Sequence, residues 1–169
     1  MNTTETDRLI IRRFCPKDAE QMHALFTDYE TMRLVGMLPA HESFEQTKKR
    51  TENWVKDSGH FAVALKESGR VVGYIAINHD SEEGRDDTRE LGFATVPQYR
   101  GNGYMYEAVR GVVAKLQSEG IRYIWACCFK ENKASENLIR KSGFEFRQEG
   151  THQPVNDKEY ESLEFCIEA

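Results

Sequence analysis

Gly101 and Gly103 stand where one hydrophobic period gives way to another, and few backbone paths satisfy both sides. Ahead of them, Arg89-Glu90-Leu91-Gly92-Phe93-Ala94-Thr95-Val96 reads as a strand. Behind them, Met105, Val109, Val112, Val113 and Leu116 recur at the spacing of one helix face. The stretch Pro97-Gln98-Tyr99-Arg100-Gly101-Asn102-Gly103-Tyr104 must therefore be a tight strand-to-helix turn. Glycine lacks a Cβ, so the backbone there can take positive φ and approach a ligand closely. The turn delivers a helix N-terminus, whose unpaired N–H groups and charge of roughly +0.5 suit an anion such as a pyrophosphate.

Three phosphate-binding patterns bear on this turn. A nucleotide P-loop needs Lys and Ser/Thr after its last glycine, where this chain has Tyr104 and Met105. A dinucleotide fingerprint needs a third glycine at the place of Tyr106. The pattern Gln/Arg-x-x-Gly-x-Gly/Ala is met in full by Gln98, Gly101 and Gly103, and it resembles the coenzyme A pyrophosphate loop of the GNAT superfamily of N-acetyltransferases. Taken alone, the segment also reads as an ordinary glycine turn. Further on, a β-rich run, Ile121 to Cys128, precedes Asn132-Lys133-Ala134-Ser135-Glu136-Asn137-Leu138, with Gly143-Phe144 closing the segment. Asn132 is a good helix cap and Gly143 a good helix stop. Asn-x-x-Ser-x-x-Leu-(x)4-Gly-Phe resembles the second half of a GNAT domain, in the right order after the glycine loop. With the opening Thr6-Asp7-Arg8-Leu9-Ile10-Ile11-Arg12, the variant is most similar to the RimJ/RimL-type subfamily.

At 169 residues the chain reads as one domain, 1–169, large enough for a core. No apolar run approaches a membrane span, and the polar N-terminus has no signal-peptide core, which points to the cytoplasm. A net charge of −5 argues against nucleic acid as a partner. Cys15, Cys127, Cys128 and Cys166 lack metal spacing; Cys127 and Cys128 are expected on opposite faces of a strand as small buried hydrophobes. His60 and His79 are expected at strand ends in structural or exposed roles.

In order, the pattern predicts a strand over Arg8 to Phe14, then a helix opened by Pro16 with Ala19, Met22, Leu25 and Phe26 inward. A loop or broken helix follows over Thr31 to His41. The next helix is capped by Ser43 and Gln46, carries Phe44, Trp54 and Val55, and ends at Gly59. A hairpin over Phe61–Ile77 turns at Glu67 to Arg70, and an acidic loop follows over Asp80 to Asp87. After the glycine-loop strand come a helix from about Asn102 to Ser118, the Ile121 strand and the Asn132 helix. Closing strands at Phe144–Gln148 and Glu159–Ile167 are joined by a loop over Gly150 to Asp157. The order β-α-α-β-β-β-α-β-α-β-β predicts an α/β (α+β) mixed sheet with helices on both faces, which is also the GNAT order.

The resemblance implies acetyl-CoA as co-substrate, no metal, and acetyl transfer from a thioester to a primary amine. It places the pyrophosphate on the backbone of Arg100, Gly101, Asn102, Gly103 and Tyr104. Ala94, Thr95 and Val96 would pair with the pantetheine arm like an added strand. The N–H of Val96 or a neighbour would face the oxyanion. Asn132, which also reads as a plain helix cap, and Ser135 would face the cofactor. Many GNATs carry a tyrosine acid seven residues after the asparagine; here that place is Ile139, and Ser135 is expected to protonate the thiolate instead. Glu90 is the expected base, direct or through water, with Glu107 next. Tyr29, Trp54, Phe61 and Tyr74 are candidates for the acceptor side, although aromatics at these spacings also suit a core. The acidic loop could draw a cationic amine. The favoured acceptor is a protein N-terminal α-amine. Polyamines, amino acids, antibiotic amines, a non-catalytic acyl-CoA binder and a nucleotide-binding module are the alternatives, with the protein a monomer or homodimer.

Overall fold

The computed structural model describes residues 3–79, 84–152 and 159–168. Within them runs one mixed sheet in the order β1-β2-β3-β4-β5-β6-β8-β7. Its strands are β1 Thr4–Glu5, β2 Leu9–Arg13, β3 His60–Leu65, β4 Val71–His79, β5 Thr88–Thr95, β6 Tyr123–Phe129, β7 Glu145–His152 and β8 Tyr160–Glu168. The helices are α1 Asp18–Phe26, α2 Tyr29–Leu34, α3 Phe44–Lys56, α4 Tyr104–Ser118 and α5 Lys133–Lys141. Neighbouring strands pair antiparallel except β5 and β6, which are parallel.

Strand alternation divides the core between the two faces. Phe61, Val63, Ile75 and Leu91 pack with Met105, Val109, Val112 and Leu116 of α4 and Ile139 of α5. Ala62, Ala64, Tyr74 and Ala94 pack with Met22, Leu25 and Phe26 of α1, Met32 of α2 and Trp54 of α3.

The feature that makes a site lies in the middle of the sheet. The β5–β6 pairing runs from Thr88↔Tyr123 to Leu91↔Ala126 and stops. On its other edge β5 stays paired with β4 up to Gly73↔Thr95. Gly92 to Thr95 therefore borders a gap. Val96 donates its N–H to the Val72 carbonyl at 2.9 Å. In an antiparallel ladder these groups alternate, so the N–H groups of Phe93 and Thr95 turn toward the gap.

The capping box of α3 is present as expected, with Ser43 and Gln46 bonding each other's backbone. Its buried face differs from the expected Phe44, Trp54 and Val55: Thr47, Thr51 and Trp54 are buried, and Phe44 is exposed. Thr51 can lie inside because its hydroxyl bonds the Thr47 carbonyl, while the Thr47 hydroxyl meets the rings of His23 and His41. The helix ends at Lys56, before Gly59, because Asp57 turns extended and accepts the Gly59 N–H. Pro16 lies ahead of α1 rather than in its first turn. α4 starts at Tyr104 rather than near Asn102, because Gly103 is left-handed at φ 74. A short helix, α2, occupies part of the stretch expected as loop or broken helix, capped by Asp28 on the Thr31 N–H. β1 was not expected, and β7 runs on to His152 through residues expected as loop. The rest of that loop, and residues 80–83 of the acidic loop, lie outside the described residues. Cys128 is buried, but Cys127 is exposed, because it is the first β6 residue past the parallel pairing and faces the gap region.

Candidate active site

The glycine turn is built as a short 3-10 turn over Pro97–Tyr99, followed by Arg100 to Gly103 with Gly101 at φ 78. The first helical bond is Glu107 N–H to the Gly103 carbonyl. The N–H groups of Gly103, Tyr104, Met105 and Tyr106 are thus left for a ligand, as at any helix start. The turn is held from three sides. The Asn102 amide donates to the Tyr99 and Arg100 carbonyls, both at 3.1 Å. The Arg100 guanidinium bonds the Thr31 hydroxyl of α2 and lies 3.9 Å from Asp28. Arg8 reaches the Asn102 carbonyl at 3.1 Å and lies over the Tyr104 ring at 4.7 Å.

Glu107, the second candidate base, is committed to this framework. It accepts from the Thr6 hydroxyl at 2.6 Å, the Arg8 N–H at 2.8 Å and Arg8 Nε at 2.6 Å. Burial alone would raise its carboxyl, but the Thr6 and Arg8 bonds outweigh burial and hold it below its ordinary value.

A cleft of about 470 Å³ runs from the turn along the gap. Phe93, Ala94 and Thr95 form one side, Thr31 and Leu34 of α2 with the following Val35 a second, and Asn132, Ser135 and Leu138 a third. Arg100, Gly101, Gly103 and Tyr104 close its end. The Val96 side chain is buried in the core and its N–H is taken by Val72, so in this stretch the N–H groups that face the gap are those of Phe93 and Thr95. Asn132 is both a cap and a wall: its Oδ1 accepts the Ser135 N–H at 3.1 Å while the residue borders the cleft. Ile139 is fully buried and faces the core. Arg33 of α2 pairs with Glu131 just before α5, tying two walls of the cleft together.

A second pocket of about 280 Å³ continues from the first, sharing Leu34, Val35, Phe93, Asn132 and Ser135. It is bordered by Glu90, Tyr74, His60, Cys127 and His152. Ser135 therefore sits at the junction of the two spaces, beside Cys128, whose thiol is pushed up to about 12, chiefly by burial. A third groove of about 370 Å³ shares Glu90, Cys127 and His152 with the second and runs over β6, β7 and β8. Of the four aromatic candidates, Tyr74 reaches the second pocket, with its hydroxyl 3.4 Å from Met37 Sδ. Burial raises that hydroxyl's pKa, so it stays protonated. Trp54 is buried behind it, stacked on His60. Phe61 is buried on the α4 side of the sheet, and Tyr29 is 62% exposed and borders neither space. His60, Met37 and Cys127 are pocket residues that no sequence pattern groups, since strand register brings His60 and Cys127 together and the segment after α2 brings Met37 to them. Among the described residues no cluster of three or more His, Cys, Asp or Glu could hold a metal, and no helix is long and apolar enough to cross a membrane.

Comparison with known proteins agrees with this geometry. The chain is similar to the uncharacterised N-acetyltransferase YoaA of Bacillus subtilis (strain 168), at 29% identity over 147 residues, covering 83% of this chain and 81% of the relative. The fold is similar to that of an acetyltransferase (GNAT family) from Bacillus anthracis, with TM-score 0.83, 24% identity and 98% of both chains covered. It is also similar to the fold of the ribosomal-protein-S5-alanine acetyltransferase from Vibrio fischeri, with TM-score 0.75, 16% identity, and 99% and 97% of the two chains covered. The acetyltransferase (GNAT) domain model matches residues 8–145, so the chain belongs to the GNAT family and is an acetyl-CoA-dependent N-acetyltransferase.

Proposed function

We propose that the protein transfers acetyl from acetyl-CoA to the α-amine of a protein N-terminus, in the manner of the RimJ/RimL-type enzymes. The observation that carries this reading is the length of the acceptor side. The 280 Å³ pocket opens past Glu90, Cys127 and His152 into a groove of about 370 Å³, room for a chain rather than a lone amine. The likeness to the ribosomal-protein-S5-alanine acetyltransferase is consistent with it. The modest volume of the inner pocket alone favours a second reading, the same chemistry on a small amine.

In this reading the pyrophosphate lies on the N-terminus of α4 and the pantetheine arm lines the gap beside Thr95. The thioester then reaches Ser135. The amine nitrogen attacks the carbonyl carbon, and the Phe93 or Thr95 N–H bonds the developing oxyanion. The C–S bond breaks, and the thiolate takes a proton from the Ser135 hydroxyl as that oxygen takes the surplus proton of the newly acylated nitrogen. Glu90 draws the ammonium into the pocket and takes its proton, directly or through water. An α-amine, of pKa about 8, needs less help than a lysine amine at about 10.4.

Thermal titration with acetyl-CoA, with ATP and NAD as controls, tests the cofactor. At about a hundred times Kd the ligand adds roughly 2.7 kcal/mol, on the order of 5–11 °C for this size. CoA release is then compared for a peptide with a free N-terminus, the same peptide N-blocked but carrying lysine, and spermidine. Release with the free N-terminus alone supports the reading; release with spermidine alone replaces it with the small-amine one.

A further inference from the structure

His60 opens β3 and pairs with Ala76 of β4, which pairs with Gly92 of β5 at the lip of the gap. With strands about 4.8 Å apart, His60 and Gly92 lie about 10 Å apart at their Cα atoms. The row between them carries nothing larger than a methyl group, so the imidazole looks over an open floor, and His60, Ala76 and Gly92 all border the acceptor pocket. Other groups set the ring's pose. Its Nδ1 bonds the Asp57 carboxylate, and its face stacks on Trp54 at 4.4 Å and 13°. Asp57 is held in turn by the Gly59 N–H at 2.9 Å. An ionised carboxylate only accepts, so Nδ1 carries the hydrogen and Nε2 the lone pair.

We propose that His60 is the base of the transfer, with Asp57 as its positioning residue. This rests on the acetyl-transfer reading above and divides the two tasks given there to Glu90. Glu90 holds the ammonium, and His60 Nε2 takes one of its protons, directly or through one water, which frees the nitrogen lone pair to bond the carbonyl carbon. The C–S bond breaks, and the departing thiolate takes the Ser135 hydroxyl proton, which the second surplus proton of the acylated nitrogen replaces.

The surroundings suit a neutral imidazole at pH 7. Burial, the largest influence, acts with the positive charges of Arg50 on α3 and Arg13 on β2. Together they lower the ring below 6.5 against the pull of Asp57. The other titratable groups around the same pocket are Tyr74 on β4, Glu90 on β5, His152 on β7, and Cys127 and Cys128 on β6, whose thiols burial raises.

The test is the pH profile of kcat/KM for CoA release, using acetyl-CoA and a peptide with a free N-terminus. The wild-type acid limb is expected below the ordinary imidazole value of about 6.5. In His60→Gln, the rate at pH 7 falls about 100-fold and the limb moves up to the amine's own pKa of about 8. Acetyl-CoA Kd stays unchanged, which shows that the variant is folded. Asp57→Asn, which removes the charge that raises His60, moves the limb to lower pH; a purely structural Asp57 would move none. A wild-type limb near the carboxylate value of about 4.3 that disappears in Glu90→Gln, or a His60→Gln profile that matches wild type, would overturn the role of His60 alone. Absence of CoA release by the wild type with that peptide and with spermidine would overturn the acetyl-transfer reading itself, and the base with it.

Discussion

Two glycine-to-alanine substitutions on adjacent strands should have opposite consequences, and the distances say why. A Cβ at Gly73 would lie 2.3 Å from the Ala94 carbonyl oxygen, 2.8 Å from Met105 Cε and 3.2 Å from the Thr95 Cα. Two of the three are backbone of β5, at the point where that strand borders the gap. The methyl of Met105 can move aside; the Ala94 carbonyl cannot without opening the β4–β5 ladder. Overpacking costs about 1–3 kcal/mol, and each ladder bond lost adds about 1 kcal/mol. Gly73→Ala should therefore cost about 2–4 kcal/mol, a Tm drop of roughly 4–16 °C at this chain length. By displacing Thr95 it should also weaken acetyl-CoA. A Cβ at Gly92 meets only the Ala76 methyl, at 3.6 Å. Gly92→Ala should leave stability unchanged or raise it by about 0.4–1 kcal/mol through the unfolded chain. It puts a methyl on the floor of the acceptor pocket, so the acceptor KM should rise while acetyl-CoA Kd does not. Thermal scans with and without acetyl-CoA, followed by KM for the peptide acceptor, read all of this. A Gly73→Ala Tm within about 2 °C of wild type, roughly the effect of 1 kcal/mol, would refute the close-approach argument. Loss of acetyl-CoA binding in Gly92→Ala would refute the separation of the two pockets.

Arg8→Ala removes the contact to the Asn102 carbonyl, the cover over Tyr104 and the partner of Glu107. Because the ion pair is partly exposed, the stability loss should be modest, about 1–2 kcal/mol, with acetyl-CoA Kd raised several-fold by isothermal titration. The wild-type Glu107 carboxyl titrates below its ordinary value, so its stabilisation is present above about pH 4.5 and lost as pH falls through the lowered value; in Arg8→Ala acid denaturation between those points should be less steep. Ser135→Ala should lower kcat with acetyl-CoA Kd retained, and equal losses in both would remove Ser135 as the acid. Ile139→Tyr, which restores the residue many relatives use, should not raise kcat: the site is fully buried in the core, and overpacking there should cost about 1–3 kcal/mol in a denaturant melt.

The elements read correctly from sequence are those whose signal is local. The turn at Gly101 and Gly103, the apolar face of α4 and the capping box at Ser43 each depend on neighbours within a few residues. Elements were misread where that signal fails. α3 buries threonines whose hydroxyls are satisfied by Thr47 and by two histidines, which no hydropathy pattern shows. β7 is exposed along nearly its whole length, so it has no inward face to alternate. β1 is a two-residue strand, too short for any period.

For the site, sequence alone determined the glycine turn ahead of α4, the Asn132–Ser135 helix start and the absence of a tyrosine at position 139, because each is a matter of residue type at fixed spacing along one segment. Tertiary structure alone decided that Val96 spends its N–H on Val72, that Glu107 is tied to Thr6 and Arg8, and that Trp54 serves as a platform for His60. It also decided that His60, Tyr74 and Glu90 share a pocket with Ser135. Those facts follow from strand register and from the place where β5 and β6 part, and register is set by contacts between segments far apart in the chain.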